Sequence, residues 1–238
     1  MVQTVTPPTS TKILVIGGGP AGSYAATALA RGKFALLFLQ NVKLIYLSDG
    51  FNVTLIERDV FPRYHVGETI LPSCRYFLAF IGAEVPIKNH GFLIKPGGAV
   101  KLKQEIRETY ANFVEFDAEN TAWNVVRSQF DDLLLRHASA SGVKVFEGVK
   151  VTDIRFSGER PVSAIYETEG NKRDEIHFEY LIDASGRTGL MSTKYLKNRR
   201  FTNTLMNMAF WGYWAGGIKY AQGTDRENAP WIEALTGK

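Results

Sequence analysis

The first clear pattern along the chain is a run of four apolar residues, Ile13 to Ile16, followed by three glycines and an alanine-rich stretch. A short unbroken apolar run is typical of a strand that is buried on both faces of a parallel sheet. The alanine-rich stretch begins near Pro20, a residue favoured in the first turn of a helix. The pattern from Lys12 to Arg31 therefore predicts a strand, a tight turn and a helix.

The glycines of this turn have separate tasks. Gly17 allows the turn, Gly19 lets a diphosphate approach the backbone, and Gly22 lets the helix pack closely on the strand. Amides at the helix start, together with the helix dipole, favour a bound phosphate. A glycine-rich turn without a ligand is the alternative, but the flanking strand and helix favour a dinucleotide-binding unit.

A second apolar strand, from Phe51 to Arg58, carries an acid near its end. A dinucleotide fold places an acid about 20 residues beyond its glycines, where it binds a ribose hydroxyl. Glu57 has the right place on the strand, but it lies 35 residues after Gly22. A segment inserted from Gly32 to Asp49 would explain the longer spacing.

This segment, 32–49, is apolar but interrupted by polar residues, and it is shorter than the ~20 residues of a membrane helix. Its ends permit the codons of a splice donor and a splice acceptor, which gives the hypothesis that it contains translated intron. The alternative is a genuine insertion that extends the first helix and returns as a hairpin. Sequencing the mature transcript distinguishes the two, since a transcript that always keeps the segment contradicts the intron.

The rest of the chain has weaker patterns. Several further stretches have the composition or alternation of strands: 92–103, 112–116, 143–146, 149–156, 162–167, 176–182 and 205–214. Helices are expected at 73–81 and within 120–141, a turn at Pro96 to Gly98, and a basic loop at 191–204. Short strands and helices in alternation predict a mixed α/β protein.

Composition adds limits to this picture. The chain has 238 residues, 45% of them apolar, which is enough for a sizeable core. The net charge is +4, but the basic residues are scattered, so neither a nucleic acid nor a membrane is an expected partner. The one cysteine, Cys74, excludes an internal disulfide, and no Cys/His set has the spacing of a metal site. Residues 1–11 are expected to be a disordered leader without a signal peptide, which predicts a cytoplasmic protein.

Three charged residues outside the glycine turn are candidate cofactor ligands, and each has a structural alternative. Glu68 either meets cofactor hydroxyls or caps the following segment. Arg127 is either a ligand for a cofactor oxygen or an exposed helix arginine. Asp183, at the end of an apolar strand, either accepts from a cofactor hydroxyl or caps a turn.

Five segments together resemble the flavin-dependent halogenases, in particular the fungal branch that chlorinates free phenolic natural products. They are Gly17 to Ala26, Glu57-Arg58, Phe61 to Ser73, Trp123 to Asp131, and Asp183 to Arg187. The Pro-Arg-Tyr-His-Val-Gly-Glu segment is much more specific than the glycine motif, which many flavoproteins share. The resemblance runs through nearly the whole chain apart from the leader and 32–49.

This resemblance implies an α/β fold with a Rossmann-like FAD-binding domain over 12–200. A β-rich portion of a substrate domain is interleaved with it at 92–116, and 201–238 would begin a substrate domain that is incomplete at the C-terminus. The cofactor would be FAD, used as FADH2. Its implied ligands are Gly18 and Ala21 at the diphosphate, Glu57 on the adenosine ribose, Glu68 near the flavin, and Arg127 and Asp183 on the ribityl phosphate region.

The resemblance also implies a reaction. A separate flavin reductase supplies reduced flavin, and with O2 and chloride this gives hypochlorous acid. A lysine then orients or carries the chlorine towards a carbon of a small aromatic substrate. By position that lysine is Lys95, which the residues alone would favour as an exposed lysine at a strand end.

The chain departs from the family pattern in two ways. The Trp-x-Trp-x-Ile-Pro signature is absent, since Trp211-Gly-Tyr-Trp214 has a different spacing. The chain also ends at Lys238, before the region expected to supply the chloride site and much of the substrate pocket, so an inactive fragment is one expectation. An aromatic hydroxylase on the same scaffold is an alternative, disfavoured because only Asp49-Gly50 matches its Asp-Gly motif. A noncatalytic flavin-binding remnant is the other alternative.

Overall fold

The computed structural model describes residues 6–32, 50–206 and 208–235. The hypothesised intron lies outside these residues from position 33 to 49. The chain divides into two compact units, of which the first comprises Met1–His65 and Ser128–Arg200 and the second comprises Val66–Arg127 and Phe201–Lys238. The expected domain bounds, 12–200 and 201–238, stay a prediction.

The helices and strands are short and alternate along the chain. The helices are α1 (Pro20–Ala30), α2 (Cys74–Phe80), α3 (Glu84–His90) and α4 (Arg127–Ala140). The strands are β1 (Ser10–Ile16), β2 (Val53–Ile56), β3 (Leu93–Lys95), β4 (Gly97–Lys101), β5 (Thr109–Asn112), β6 (Ala122–Asn124), β7 (Lys144–Phe146), β8 (Lys150–Ser157), β9 (Arg160–Glu167), β10 (Arg173–Asp183) and β11 (Trp231–Glu233).

The first unit contains a six-stranded sheet in the order β7-β2-β1-β10-β9-β8. In this order, β7, β2, β1 and β10 run parallel to one another. Strand β9 pairs antiparallel with β10, and β8 pairs antiparallel with β9. At the centre, Ile16 of β1 pairs with Ile56 of β2 and with Asp183 of β10. The carboxyl ends of three parallel strands therefore meet beside the turn that leaves β1, as in a Rossmann-like sheet.

Strand β1 is buried on both faces. Leu14 and Ile16 pack in one apolar cluster with residues of β9 and β10, including Tyr166. Ile13 and Val15 point the other way and pack with residues of α1 and α4, including Leu135. The apolar run in the sequence is therefore correctly interpreted as a strand between two packed layers.

The second unit has two small sheets and two helices. Strand β4 pairs antiparallel with β5 and parallel with β11, and β3 pairs antiparallel with β6. Helix α3 is not among the predicted helices, and it buries Ile87. The irregular stretch before α2 is tied to β6 by a bridge between Thr69 and Asn124.

The predicted turn at Pro96 to Gly98 is wrong, because Gly97 and Gly98 begin β4. A Cβ on Gly97 would overlap the ring of Tyr110 in β5. The glycine is therefore needed for close approach of the neighbouring strand and not for a turn.

Two predicted strands are also wrong. The stretch 112–116 is not a strand, because β5 ends at Asn112, whose side chain accepts from the amide of Val114 and turns the chain. The stretch 205–214 has no strand among its described residues, and Trp214 is 94% exposed. Aromatic residues favour strands only where a neighbouring strand covers them.

Two shorter expectations need correction. Ser10 and Thr11, expected in the leader, belong to β1 because they pair with His177 and Phe178 of β10. The basic loop expected at 191–204 contains a single π-helical turn, Leu190–Tyr195. Within the described ranges, no helix has the length and apolar character needed to cross a bilayer.

Candidate functional site

The glycine turn between β1 and α1 is fixed by close backbone approaches. Gly17 has a φ of +105°, and a Cβ there would overlap the carbonyl of Ala184. A Cβ on Gly22 would overlap the carbonyl of Gly17. Other residues rarely adopt the φ of Gly17, and they carry the Cβ that collides at both positions. Gly17 and Gly22 therefore shape the turn and the packing of α1 on β1.

Gly19 differs from these two glycines. It is the N-cap of α1 with a φ of −65°, which any residue adopts, and a Cβ there would lie 3.6 Å from Nη2 of Arg63. This distance is an ordinary van der Waals contact, so folding does not demand glycine at this position. The glycine instead leaves open space beside the first turn of the helix.

The start of α1 has the features of a phosphate site. The first amides of a helix have no acceptor within the helix, and Pro20 has no amide hydrogen. Among the described side chains none caps this end of α1, and the first turn carries no acid. The amides of Ala21 and Gly22 therefore suit an anion that approaches past Gly19.

Glu57 lies beside the turn at the end of β2 and is 6% exposed. Its Oε2 accepts from the amide of Gly18 at 2.5 Å, and its Oε1 accepts from the amide of Asp59 at 2.8 Å. Two amide donors thus satisfy a carboxylate that burial removes from water. Each oxygen keeps a second lone pair, which binding to a ribose hydroxyl would require.

Asp183 lies on the same edge of the sheet, at the end of β10. Its carboxylate accepts from the amide of Ser185 at 3.0 Å and from the amide of Met191 at 2.7 Å. Asp183 therefore caps the turn that leads into Leu190–Tyr195, which is the structural alternative considered for it. A contact between Asp183 and a cofactor hydroxyl stays a prediction.

Arg63 also lies beside this turn, and it is not among the predicted ligands. Its Nη1 is 3.0 Å from Oδ2 of Asp131, a residue of α4 with no exposed surface. Its Nε is 3.5 Å from Oδ2 of Asp59, and its guanidinium stacks 4.4 Å above the ring of Phe61. The signal that could have found this pair is the acid among the apolar positions of α4, since a buried carboxylate needs a charged partner.

Two of the predicted ligands, Arg127 and Glu68, belong to the second unit. Arg127 is half-buried and donates from Nη1 to the carbonyls of Val66 and Gly67, at 3.0 and 3.2 Å. The carboxylate of Glu68 accepts from the hydroxyl of Tyr213 at 3.0 Å. Arg127 therefore holds the loop that precedes Glu68, and the roles of both residues towards a cofactor stay predictions.

Lys95 also belongs to the second unit, and it is not the exposed lysine that the pattern alone favoured. It is 1% exposed, pairs with Ala122 of β6, and has its Nζ 5.2 Å from the ring centre of Phe113. Among the described carboxylates, none forms an ion pair with it. Burial lowers the pKa of the Lys95 amine below its ordinary value, and the neighbouring Cys74 opposes this shift.

Metal ligands are a separate question. In the part of the chain that the structure describes, no three His, Cys, Asp or Glu side chains lie close enough to hold an ion.

The cavity beside Pro72, Arg75 and Glu84 has a volume of about 170 Å³ and lies within the second unit. It is smaller than the pockets that usually bind organic ligands.

The first unit therefore brings together Gly17 to Gly22, Glu57 and Asp183, and it adds Arg63. Amides at the helix start, a gap left by Gly19 and a buried acid at the next strand end fit the diphosphate and ribose of a dinucleotide. The sheet order and this edge of the sheet define an α/β protein with a Rossmann-like fold of the FAD-binding type.

The chain belongs to the tryptophan halogenase family, whose sequence model matches residues 12–115 and 98–210. Over 232 residues it is 56% identical to the flavin-dependent halogenase armH2 of Armillaria mellea. The match covers 96% of this chain and 42% of that protein. The chain thus spans about two fifths of the length of the curated relatives it matches. The predicted resemblance to flavin-dependent halogenases is confirmed.

Two solved structures are similar to the chain. The myxobacterial chondrochloren halogenase CndH gives a TM-score of 0.65 and 34% identity, over 75% of this chain and 38% of that one. The flavin-dependent brominase Bmp2 gives a TM-score of 0.63 and 28% identity, over 78% of this chain and 40% of that one. Both similarities confirm the FAD-binding α/β fold that the glycine motif and the resemblance predicted.

Proposed function

We propose that the chain carries the FAD site and the catalytic lysine of a halogenase that chlorinates an electron-rich, phenolic secondary metabolite. The relatives that match 96% of the chain are named flavin-dependent halogenases, which supports this proposal. The observation that carries it furthest is Lys95, a buried amine with a lowered pKa. Perturbed ionisable groups are typical of catalytic sites.

The cofactor would be reduced FAD, and the amides of Ala21 and Gly22 would hold its diphosphate, which the absence of a side chain at Gly19 leaves room for. Glu57 binds the adenosine ribose. Gly18 contributes by fixing Glu57, because its amide already donates to that carboxylate. As the family resemblance implies, Asp183 and Arg127 would bind the ribityl phosphate region, and Glu68 would lie near the flavin. When bound, reduced FAD supplies the activation of O2 that oxidises chloride to hypochlorous acid.

Lys95 passes the chlorine to the substrate. Its ammonium form donates a hydrogen bond that orients hypochlorous acid, and its neutral amine is a nucleophile that carries the chlorine. In the second case an N–Cl bond forms as the O–Cl bond breaks, and the hydroxide leaves with the amine proton as water. Aromatic carbon then takes the chlorine and releases a proton, which restores the amine. Burial lowers the pKa of the Lys95 amine, which raises the share of the neutral, nucleophilic form at a given pH.

The partners are a small aromatic substrate and a separate flavin reductase that supplies the reduced cofactor. Chloride is the proposed halide. The similarity to the brominase Bmp2 makes bromide the halide to compare with it in the same assay.

The test supplies the purified chain with FAD, a flavin reductase, NADH, O2, chloride and a panel of hydroxybenzoates. Mass spectrometry identifies chlorinated products by their isotope pattern. We expect chlorinated product from the unaltered chain and from Lys88→Gln, an exposed control in α3, and none from Lys95→Met. Hydroxylated product would overturn the proposal in favour of a hydroxylase. Flavin uptake with no product under either halide would overturn it in favour of a noncatalytic flavin-binding protein.

A further inference from the structure

Three carboxylates lie at or near the glycine turn in the first unit: Glu57 contacts Gly18, and Asp59 and Asp131 contact Arg63, which lies beside Gly19. Glu57 and Asp131 are almost completely buried. A diphosphate carries negative charge, so acids beside its site repel it unless a cation lies between them. The structure places the guanidinium of Arg63 beside Gly19 at this site.

Arg63 is held in one orientation by contacts on three sides. Nη1 lies 3.0 Å from Asp131, Nε lies 3.5 Å from Asp59, and Cζ lies 4.4 Å from the centre of the Phe61 ring. A guanidinium has five N–H donors in a rigid planar fork. Fixing Nε and Nη1 therefore also fixes the direction of Nη2.

Nη2 faces the glycine turn. It would lie 3.6 Å from a Cβ on Gly19, so the space that the missing side chain leaves separates the guanidinium from the start of α1. An oxygen in this space has helix amides on one side and Nη2 on the other. Charge-assisted hydrogen bonds of this kind are shorter and stronger than those between neutral groups.

We propose that Arg63 donates from Nη2 to the cofactor's diphosphate and that Asp131 is the positioning residue that aims it. This inference rests on the proposed FAD site. The Arg63–Asp131 pair spans 68 residues of sequence and joins the loop after β2 to α4. The side chain of Arg63 therefore bounds the diphosphate site on the side opposite the helix amides.

Binding measurements with FAD, ADP and adenosine test the proposal by calorimetry. Arg63→Lys keeps a positive charge beside Asp131 but loses the planar guanidinium. We expect the affinity for FAD and ADP to fall at least tenfold and the affinity for adenosine to change less than twofold. Asp131→Asn gives a smaller loss that is again confined to ligands with a diphosphate. Arg58→Lys is the matched control, because it makes the same exchange five residues away on a side chain that is 62% exposed. Equal losses for Arg58→Lys and Arg63→Lys would overturn the proposal.

A second measurement uses the unaltered chain, so no result depends on whether a variant folds. Phenylglyoxal modifies accessible arginines, and mass spectrometry gives the rate at each site. We expect FAD and ADP to slow modification of Arg63 at least fivefold, adenosine to have little effect, and Arg58 to react at one rate throughout. Flavin uptake with Arg63 unprotected would overturn this inference alone. Absence of flavin uptake would overturn the proposed FAD site together with it.

Discussion

The backbone amide of Gly18 donates to Oε2 of Glu57 at 2.5 Å, and this contact joins the turn after β1 to the acid at the end of β2. The pairing of Ile16 with Ile56 brings the two together. Strand register, and not the number of residues between the glycines and the acid, therefore sets the position of Glu57. The dinucleotide fold places its ribose-binding acid about 20 residues after the glycines. Glu57 can take that position although it lies 35 residues after Gly22.

Glu57→Gln is expected to lower the free energy of unfolding by about 1–3 kcal/mol. The carboxylate accepts from two amides, whereas the amide of glutamine has one oxygen and opposes an N–H with its own N–H donors. Urea denaturation followed by circular dichroism measures the change. Glu179→Gln, at an exposed position of β10, is the control, and equal losses for both variants would contradict the assigned contacts.

Two alanine substitutions separate the tasks of the glycines in the turn. Gly22→Ala forces a Cβ into the carbonyl of Gly17, so we expect a loss of several kcal/mol or no folded protein. Gly19→Ala meets only an ordinary contact with Arg63, so we expect a melting temperature within about 3 °C of the unaltered chain. The same methyl group fills the proposed diphosphate path, and FAD affinity falls at least tenfold.

Thermal melts and flavin titrations provide these values on the same samples. The interpretation of the turn fails if Gly19→Ala keeps full FAD affinity, or if Gly22→Ala melts at the temperature of the unaltered chain. Each outcome concerns a different glycine, so one failure leaves the other assignment standing.

Thr54→Val is expected to stabilise the protein by about 1 kcal/mol. Thr54 is fully buried in β2, and no described group accepts from or donates to its hydroxyl. Thr27→Val is the matched control, because Thr27 is equally buried but donates to the carbonyl of Ser23 at 2.7 Å. Chemical denaturation is expected to shift the two midpoints in opposite directions, and a loss for Thr54→Val would contradict the unsatisfied hydroxyl.

The buried amine of Lys95 makes stability depend on pH. Burial lowers the pKa of Lys95 in the folded state below its ordinary value of 10.5, so the folded state carries a desolvation penalty wherever the amine is charged. The penalty is fully present below the folded pKa and disappears as pH rises through the folded and then the unfolded pKa. Between these two pKa values the unfolded chain binds more protons at this amine, so the contribution of Lys95 to the free energy of unfolding rises with pH.

Lys95→Met removes this penalty, so we expect the variant to be more stable than the unaltered chain at pH 7, with the gain shrinking as pH approaches 10.5. Urea denaturation between pH 7 and 10.5 measures the difference. Lys88→Met, at an exposed position of α3, is expected to show no such trend. A Lys95→Met gain that is constant over this range would show that the lysine is not desolvated.

The sequence predicted the elements whose conformation depends on residues close to one another along the chain. The glycine turn, β1, α1 and β2 followed from apolar periodicity and from the special backbone needs of glycine. The strands that build the sheet of the first unit were placed within a few residues of their observed ends. These elements are specified locally, and their order then fixes a parallel sheet.

What the sequence missed depends on residues that are distant along the chain. Lys95 is buried, pairs with Ala122 of β6 and has its Nζ 5.2 Å from the ring centre of Phe113, and the sequence pattern around Lys95 does not reveal these distant neighbours. Arg63 acquires its place through Asp131, 68 residues further on. Gly97, which was expected in a turn, pairs instead with Asn112 of β5 and leaves room for the ring of Tyr110.

The most direct test of the account is a competition for one site. FAD is titrated into the purified chain, its fluorescence and absorbance are followed, and bound flavin is then challenged with ADP, adenosine or riboflavin. The account predicts one FAD per chain, displaced by ADP much more readily than by adenosine, because the diphosphate lies against the start of α1. Displacement by riboflavin with no effect of ADP, or no flavin uptake at all, would contradict it.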